Sequence, residues 1–269
     1  MSVPFSVTGS FDAFEPGELR TFATEIESAG YTRLWVGGGF EREVLSQLAF
    51  VVPVTRTLRF GAGIVSIWTR PAVTTRIGAM SLSRLSEGRF DLGLGVSLPE
   101  AVEDGVWARP VAAMREYVNA YRGAEAGPDA PEPRLYLAAL RPRMLALASE
   151  LADGVALYLT PVSRVAEVRE LVGPDKEIVV SVPVALGRDA RERARRYVAD
   201  HVAAPTYAAI LGGLGLGVES FDELVATSPA QVAERVEALA AAGATEIAFQ
   251  SAGGDWPKPH LETFLQLPA

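Results

Sequence analysis

Four clusters of small residues recur at the ends of short apolar runs: Gly37-Gly38-Gly39-Phe40, Gly61-Ala62-Gly63-Ile64, Gly93-Leu94-Gly95-Val96-Ser97 and Ala138-Ala139-Leu140-Arg141. Without bulky side chains, backbone N–H groups at such positions can meet a flat ring or a phosphate directly. The same residues also suit tight turns and the curvature of barrel strands. None of the clusters forms a GxGxxG or GxxxxGKS/T pattern, so Rossmann-type dinucleotide binding and P-loop phosphoryl transfer lack their usual signals. Proton chemistry has few carriers. The chain has no cysteine and two histidines, His201 and His260, which excludes a thiolate metal site and a histidine-rich metal cluster. Carboxylates remain, because a buried glutamate can have its pKa raised toward neutrality. Glu100, just after the third cluster, is the first candidate for a catalytic acid or base. Glu41 and Glu43 follow, and either serves equally well as a helix-opening charge favoured by the macrodipole. Phe40 and Trp68 are candidates for an apolar substrate pocket, with Trp35 suited to pocket or core.

Positioning these clusters requires a frame. β-branched runs at 4–8, 32–36, 58–65, 89–94, 134–138, 154–159, 177–186 and 245–250 alternate with helical stripes, the pattern of βαβ units around a parallel sheet. In the first stripe Leu19, Phe22, Ala23 and Ile26 recur at helical spacing, with Pro16 in the first turn and Gly30 beyond the end. Eight strands, each followed by a helical segment, fit a closed TIM (β/α)₈ barrel better than an open doubly wound sheet; the last helix is a weak candidate after Trp256. A chain of 269 residues, 49% hydrophobic, suits one such barrel domain over its whole length. Working groups in these barrels gather at the C-terminal strand ends, so all four clusters fall on one rim. The segment 204–228, with four glycines, reads as an inserted helix and a mobile loop able to cover the site, whereas the proline-rich 127–133 marks a loop, not a domain boundary. A net charge of -8 argues against a nucleic-acid partner. No stretch reaches the roughly 20 apolar residues of a membrane span, and the first residues lack a signal-peptide pattern, so a soluble cytoplasmic protein acting on a small molecule is expected.

The residues also carry a resemblance. Gly30-Tyr31-Thr32-Arg33-Leu34-Trp35-Val36-Gly37, then Thr55-Arg56-Thr57-Leu58-Arg59-Phe60-Gly61-Ala62-Gly63-Ile64, then Leu85-Ser86-Glu87-Gly88-Arg89-Phe90-Asp91-Leu92-Gly93-Leu94-Gly95-Val96 resemble the luciferase-like monooxygenase superfamily in order and spacing. Ala138-Ala139-Leu140-Arg141-Pro142-Arg143-Met144-Leu145, followed by Glu150-Leu151-Ala152-Asp153-Gly154, is similar to the same family. Around Gly95-Val96-Ser97 and Ala112-Ala113-Met114-Arg115 the chain looks most like short actinobacterial members that use the deazaflavin coenzyme F-420. The resemblance implies a tricyclic ring bound at the C-terminal mouth against a backbone bulge, often with a non-prolyl cis peptide, which maps to Gly63-Ile64. Such a bond costs about 3 kcal/mol and would mark a functional distortion. It further implies cofactor contacts from Val96, Ser97 and Leu98, and phosphate contacts from Ala138, Ala139, Leu140 and Arg141. Arg141 is the natural phosphate partner, although a helix N-terminus alone can hold a phosphate. Thr160 is a further hydroxyl donor. A homodimer packed through early helices is also implied, with Val44, Leu48 and Val52 serving either barrel or interface.

One departure stands out. Many members carry Glu-His or Asp-His after strand two, where imidazole can act as acid or base; this chain has Gly38-Gly39-Phe40-Glu41. His201 and His260 are expected on a helix and near the tail, as surface or packing residues away from the ring. The leading expectation is hydride transfer between F-420 and a small organic substrate. The alternatives are an FMN-dependent monooxygenase and, from another class, a non-catalytic barrel that binds a partner. An aldolase-type barrel is disfavoured because none of the eight strand candidates carries a lysine suited to it.

Overall fold

Eight parallel strands close into a barrel in chain order, each pairing with the next and the last with the first. They are β1 (Phe5–Gly9), β2 (Arg33–Val36), β3 (Arg59–Ser66), β4 (Phe90–Gly95), β5 (Arg134–Ala138), β6 (Gly154–Leu157), β7 (Glu177–Val184) and β8 (Glu246–Ser251). The computed structural model describes residues 3–37, 41–102, 107–125, 127 and 130–253. Six strands are each followed by one main helix: α1 (Pro16–Ser28), α2 (Val44–Val51), α3 (Ala72–Leu85), α4 (Pro110–Gly123), α5 (Pro142–Leu151) and α6 (Val162–Val172). After β7 come α7 (Ala190–Val202), the inserted α8 (Pro205–Gly213) and α9 (Phe221–Leu224), then α10 (Pro229–Ala241). The helix expected after Trp256 lies outside the described residues. Among the described residues no helix is long and apolar enough to cross a membrane.

The helices form where the apolar spacing demands. In α1 the buried face is Leu19, Phe22, Ala23 and Ile26, Pro16 opens the helix, and Gly30 takes a left-handed φ of 89° just beyond it. On α2, Val44 and Leu48 are buried and Val52 follows them into the core, which assigns all three to the barrel rather than to an interface. The outward apolar residues of this region are Phe50, Val73 and Ile77.

Two features of the barrel set the site. Between β3 and β4 the register shifts from Ala62 to Val65, and the Gly63–Ile64 peptide within that bulge is cis. The bulge fits only because β4 is glycine-rich: a Cβ on Gly93 would lie 2.2 Å from the Ala62 carbonyl oxygen, and one on Gly95 would lie 2.7 Å from Ile64 Cδ1. At the N-terminal end the barrel is plugged by charge. Arg33 pairs with Glu246 and, at 3.0 Å, with Asp91, which Arg59 also binds at 2.7 Å. Ser6 Oγ and Trp35 Nε1 donate to Glu246 at 2.6 and 2.7 Å. Trp35 and Tyr136 meet edge to face, 5.2 Å between centroids, and with Val179 and Ala248 form an inner apolar layer over this plug.

Candidate functional site

Above the inner layer, the C-terminal strand ends surround an open cavity of about 1500 Å³, with Trp35, Val179 and Ala248 at its base. The bulge of β3 and the exits of β4 and β5 bring Gly63, Ile64, Val96, Ser97, Leu98, Ala138, Ala139, Leu140 and Arg141 into one wall. The exit of β4 is fixed by two indoles. Trp68 Nε1 and Trp107 Nε1 donate to the Val96 carbonyl at 2.7 and 2.9 Å, filling both of its acceptor positions. Trp107 lines the cavity, whereas Trp68 packs against the main core, so Trp68 is a strut behind the wall instead of a pocket residue. Ser97 and Arg109, both lining the cavity, have left-handed backbones with φ of 53° and 44°, a conformation that costs about 1–3 kcal/mol and persists only where the surroundings enforce it.

The other sequence-derived candidates fall elsewhere. Phe40 lies outside the described residues, as do Gly38, Gly39 and His260. Thr160 Oγ1 donates to the Tyr158 carbonyl at 3.1 Å, a local bond behind the cavity wall. Glu43 is the N-cap of α2, accepting from the Leu45 and Ser46 N–H groups. Although partial desolvation pushes the other way, hydrogen bonds from Ser46 and Leu45 and the charge of Arg70 hold the pKa of this exposed carboxylate down. Glu100 is exposed, so the premise of a buried carboxyl with a raised pKa does not hold. Hydrogen bonds from its own N–H and from Thr206 lower its pKa. It accepts from Thr206 N at 2.9 Å and from Thr206 Oγ1, latching the loop after β4 onto the first turn of α8. That latch holds Thr206, Tyr207 and Ile210 against the cavity, so the insertion anticipated over 204–228 does contribute a wall.

Beside Arg141, which the sequence singled out, several lining residues escaped the sequence reading. Arg109 and Arg141 are the N-cap residues of α4 and α5, each followed by proline and neither helix capped by a side chain. Their first turns, with Arg109, Arg115, Arg141 and Arg143, line the same cavity. Arg115 is paired with Glu150, but among the described residues no ion pair engages Arg109, Arg141 or Arg143. Uncapped helix N–H groups and free guanidinium groups together make a strong anion site. The repeated Arg-Pro dipeptide at 109–110 and 141–142 was the available signal.

A second missed group stands where α7 and α8 approach β6. Tyr158 and Tyr207 line the cavity, and behind them lie Tyr197 and His201. His201 Nδ1 is 2.7 Å from the Tyr197 carbonyl and Nε2 is 2.7 Å from Tyr158 Oη. Burial lowers the His201 pKa and pushes the Tyr158 phenol up to about 12. Among the described residues no group of three or more histidines and carboxylates could hold a metal ion.

A parallel barrel with one open, cation-lined mouth defines the class, and the comparisons identify the family. The chain belongs to the luciferase-like monooxygenase family, whose model matches residues 3–246. It is 28% identical to a 5,10-methylenetetrahydromethanopterin reductase of Methanolobus tindarius over 162 residues, 52% of this chain and 49% of that protein. The chain thus matches about half the length of such curated relatives. Its fold is similar to an F-420-dependent secondary alcohol dehydrogenase solved with an F-420–acetone adduct (TM-score 0.80, 13% identity, 99% of this chain and 97% of the other). It is also similar to the oxygenating constituent of 3,6-diketocamphane monooxygenase of Pseudomonas putida solved with FMN (TM-score 0.72, 14% identity, 98% and 96% covered).

Proposed function

We propose that the protein is an oxidoreductase that binds coenzyme F-420 in the β3–β5 half of the mouth and acts on a small organic substrate beside it. The observation that carries this reading is one cavity joining an apolar wall to two uncapped helix N-termini with unpaired arginines. Ile64, Val96 and Leu98 offer a surface for a flat ring, and the missing side chain of Gly95 makes room for Ile64 within that wall. Arg109, Arg141 and Arg143, with the first N–H groups of α4 and α5, would hold the phosphate and the further anionic groups of the tail. These residues therefore fit the coenzyme. When bound, a deazaflavin supplies hydride transfer at a ring carbon, and the protein supplies orientation and water exclusion. The Trp68 and Trp107 bonds to Val96 fix the wall, and the Glu100–Thr206 latch closes the side of the mouth.

FMN is the second reading, supported by the same anion site at a single phosphate. Titrating the purified chain with F-420 and with FMN while following fluorescence separates the two: quenching by F-420 alone is the expected result, and quenching by neither defeats the proposal. Phe50, Val73 and Ile77 lie exposed in the α2–α3 region and support a homodimer through those helices, which sedimentation checks; a cytoplasmic location is part of the same proposal and is checked by cell fractionation.

A further inference from the structure

We propose that Tyr158 exchanges a proton with the reacting oxygen of an alcohol or carbonyl substrate, with His201 behind it as the proton store; this deepens the hydride-transfer reading and rests on it. The hydrogen-bond directions follow from donor and acceptor inventory alone. A carbonyl only accepts, so His201 Nδ1 must carry the hydrogen that meets the Tyr197 carbonyl at 2.7 Å. Neutral His201 then offers Nε2 as an acceptor, and Tyr158 Oη, 2.7 Å away, must donate to it. With its one proton so used, Tyr158 accepts from Tyr197 Oη at 2.5 Å. One lone pair of Tyr158 remains, met only by a long 3.5 Å contact from Gln250 Nε2. That lone pair belongs to a residue of the cavity wall, with Leu157, Ser181, Tyr207 and Ile210 around the same space.

The groups facing His201 permit both protonation states. Tyr197 and Asp200 come from its own helix α7, Tyr158 from the exit of β6 and Tyr207 from α8, while Gln250 of β8 approaches Tyr158. Burial favours the neutral ring, and the Tyr197 carbonyl and Asp200 favour the charged one. In oxidation of a bound alcohol, its O–H bond breaks and the proton adds to the Tyr158 lone pair in place of the 3.5 Å Gln250 contact, as the phenol's own proton moves to His201 Nε2. The oxygen's electron pair would close the C=O bond as the C–H pair departs as hydride, which a bound deazaflavin would accept. Reduction of a carbonyl runs the same steps backward.

Two measurements on the full chain test this. Nitrogen NMR of the histidines, with His260→Gln to assign the two signals, is expected to show His201 as the Nδ1–H tautomer; an Nε2–H tautomer overturns the relay. Turnover of F-420 with 2-propanol, 2-butanol and cyclohexanol is then followed against pH. Wild type should show kcat falling below a limb set by His201, and Tyr158→Phe should lose about 100-fold in kcat together with that limb, the range of a lost general acid or base. F-420 affinity in Tyr158→Phe should stay within about twofold, showing that the variant folds and binds. A Tyr158→Phe enzyme that keeps kcat and the limb, or a wild type that binds F-420 and turns over none of these alcohols nor the matching ketones, overturns the proposal. Failure of wild type to bind F-420 is a separate outcome, which strikes the parent reading and leaves the tautomer result to decide the relay.

Discussion

The two ends of this barrel hold charge in opposite ways. At the bottom, Arg33 lies between Asp91 and Glu246, all three nearly inaccessible, and Ser6 and Trp35 complete the carboxylate's partners. At the mouth, Arg109, Arg141 and Arg143 stand at helix starts with no ion pair among the described residues. Desolvated charges survive only when paired, and both terminal nitrogens of Arg33 meet a carboxylate, Nε alone lacking a partner among the described residues, so the bottom is a nearly closed network that ties β2 to β4 and β8. Solvated charges need no partner, so the mouth can keep its donors free for a ligand. The contrast separates scaffold from site without reference to any relative.

The largest expected effect breaks the closed end. Glu246→Ala strands the Arg33 guanidinium beside Trp35 and Tyr136 with half its compensation gone. Removing one member of a buried pair typically costs about 3–5 kcal/mol. Urea denaturation should show a loss of that size; a change below about 1 kcal/mol would mean that water reaches the plug. The matching test at the open end is Arg141→Ala, which should leave unfolding free energy within about 0.5 kcal/mol, as for an exposed side chain.

Next in size is a pair of glycine substitutions in β4. Gly93→Ala drives a Cβ against the Ala62 carbonyl oxygen, backbone that cannot turn aside, and overpacking of this kind costs about 1–3 kcal/mol. Gly95→Ala meets side-chain atoms instead of backbone, Ile64 Cδ1 and Cγ1 at 2.7 and 2.8 Å and Ala138 Cβ at 3.4 Å, and the Ile64 side chain can turn, so its cost in stability should be smaller. The displaced Ile64 would still intrude on the cavity wall, so Gly95→Ala should weaken F-420 binding more than stability. Thermal melts alongside fluorescence titration check both halves.

Much of this was legible before any coordinates. The barrel and its eight strands followed from alternating periodicity, because strand and helix periods are set locally by burial. The β3–β5 wall followed because glycine and alanine at strand ends are visible as residue types. What stayed hidden depended on distance in three dimensions. Trp68 was expected in the pocket because it follows strand three, yet its indole turns to the Val96 carbonyl, while Trp107 from a later loop takes the wall. Glu100 was expected to be buried and instead reaches Thr206, more than a hundred residues away, across the insertion. His201 was expected to pack within a helix, and it does bond back to Tyr197; no periodicity could show that its other nitrogen meets Tyr158.

The open end is sharpened by its arginines. If Arg109 and Arg141 act through charge-assisted bonds to an anionic tail, each alanine variant removes about 1.5–3 kcal/mol of binding. That corresponds to a tenfold or greater rise in the F-420 Kd. The loss should shrink in high salt, because exposed charges are screened. A Kd unchanged in both variants would move the anion elsewhere and leave the two helix N-termini without a role in binding.

The smallest expected effect concerns stability against pH, and it distinguishes the mouth's buried imidazole from the plug below. Burial lowers the His201 pKa in the folded chain, whereas the unfolded chain titrates near the ordinary value of about 6.5. Between those two values the unfolded state binds more protons, so stability rises with pH through that window and falls as pH drops through it. The penalty is complete once pH lies below the lowered folded value, because both states are then protonated. Above about 6.5 the histidine contributes no pH dependence. His201→Gln should therefore flatten this part of the stability curve, leaving any residual slope to the carboxylates at lower pH. Glu246→Ala, which leaves His201 in place, should lower the curve and keep the slope that His201 supplies. Denaturation midpoints measured across the window in the two variants decide it: a His201→Gln curve parallel to wild type would show that the imidazole is already solvated and that the closed character of the plug does not extend to this wall of the mouth.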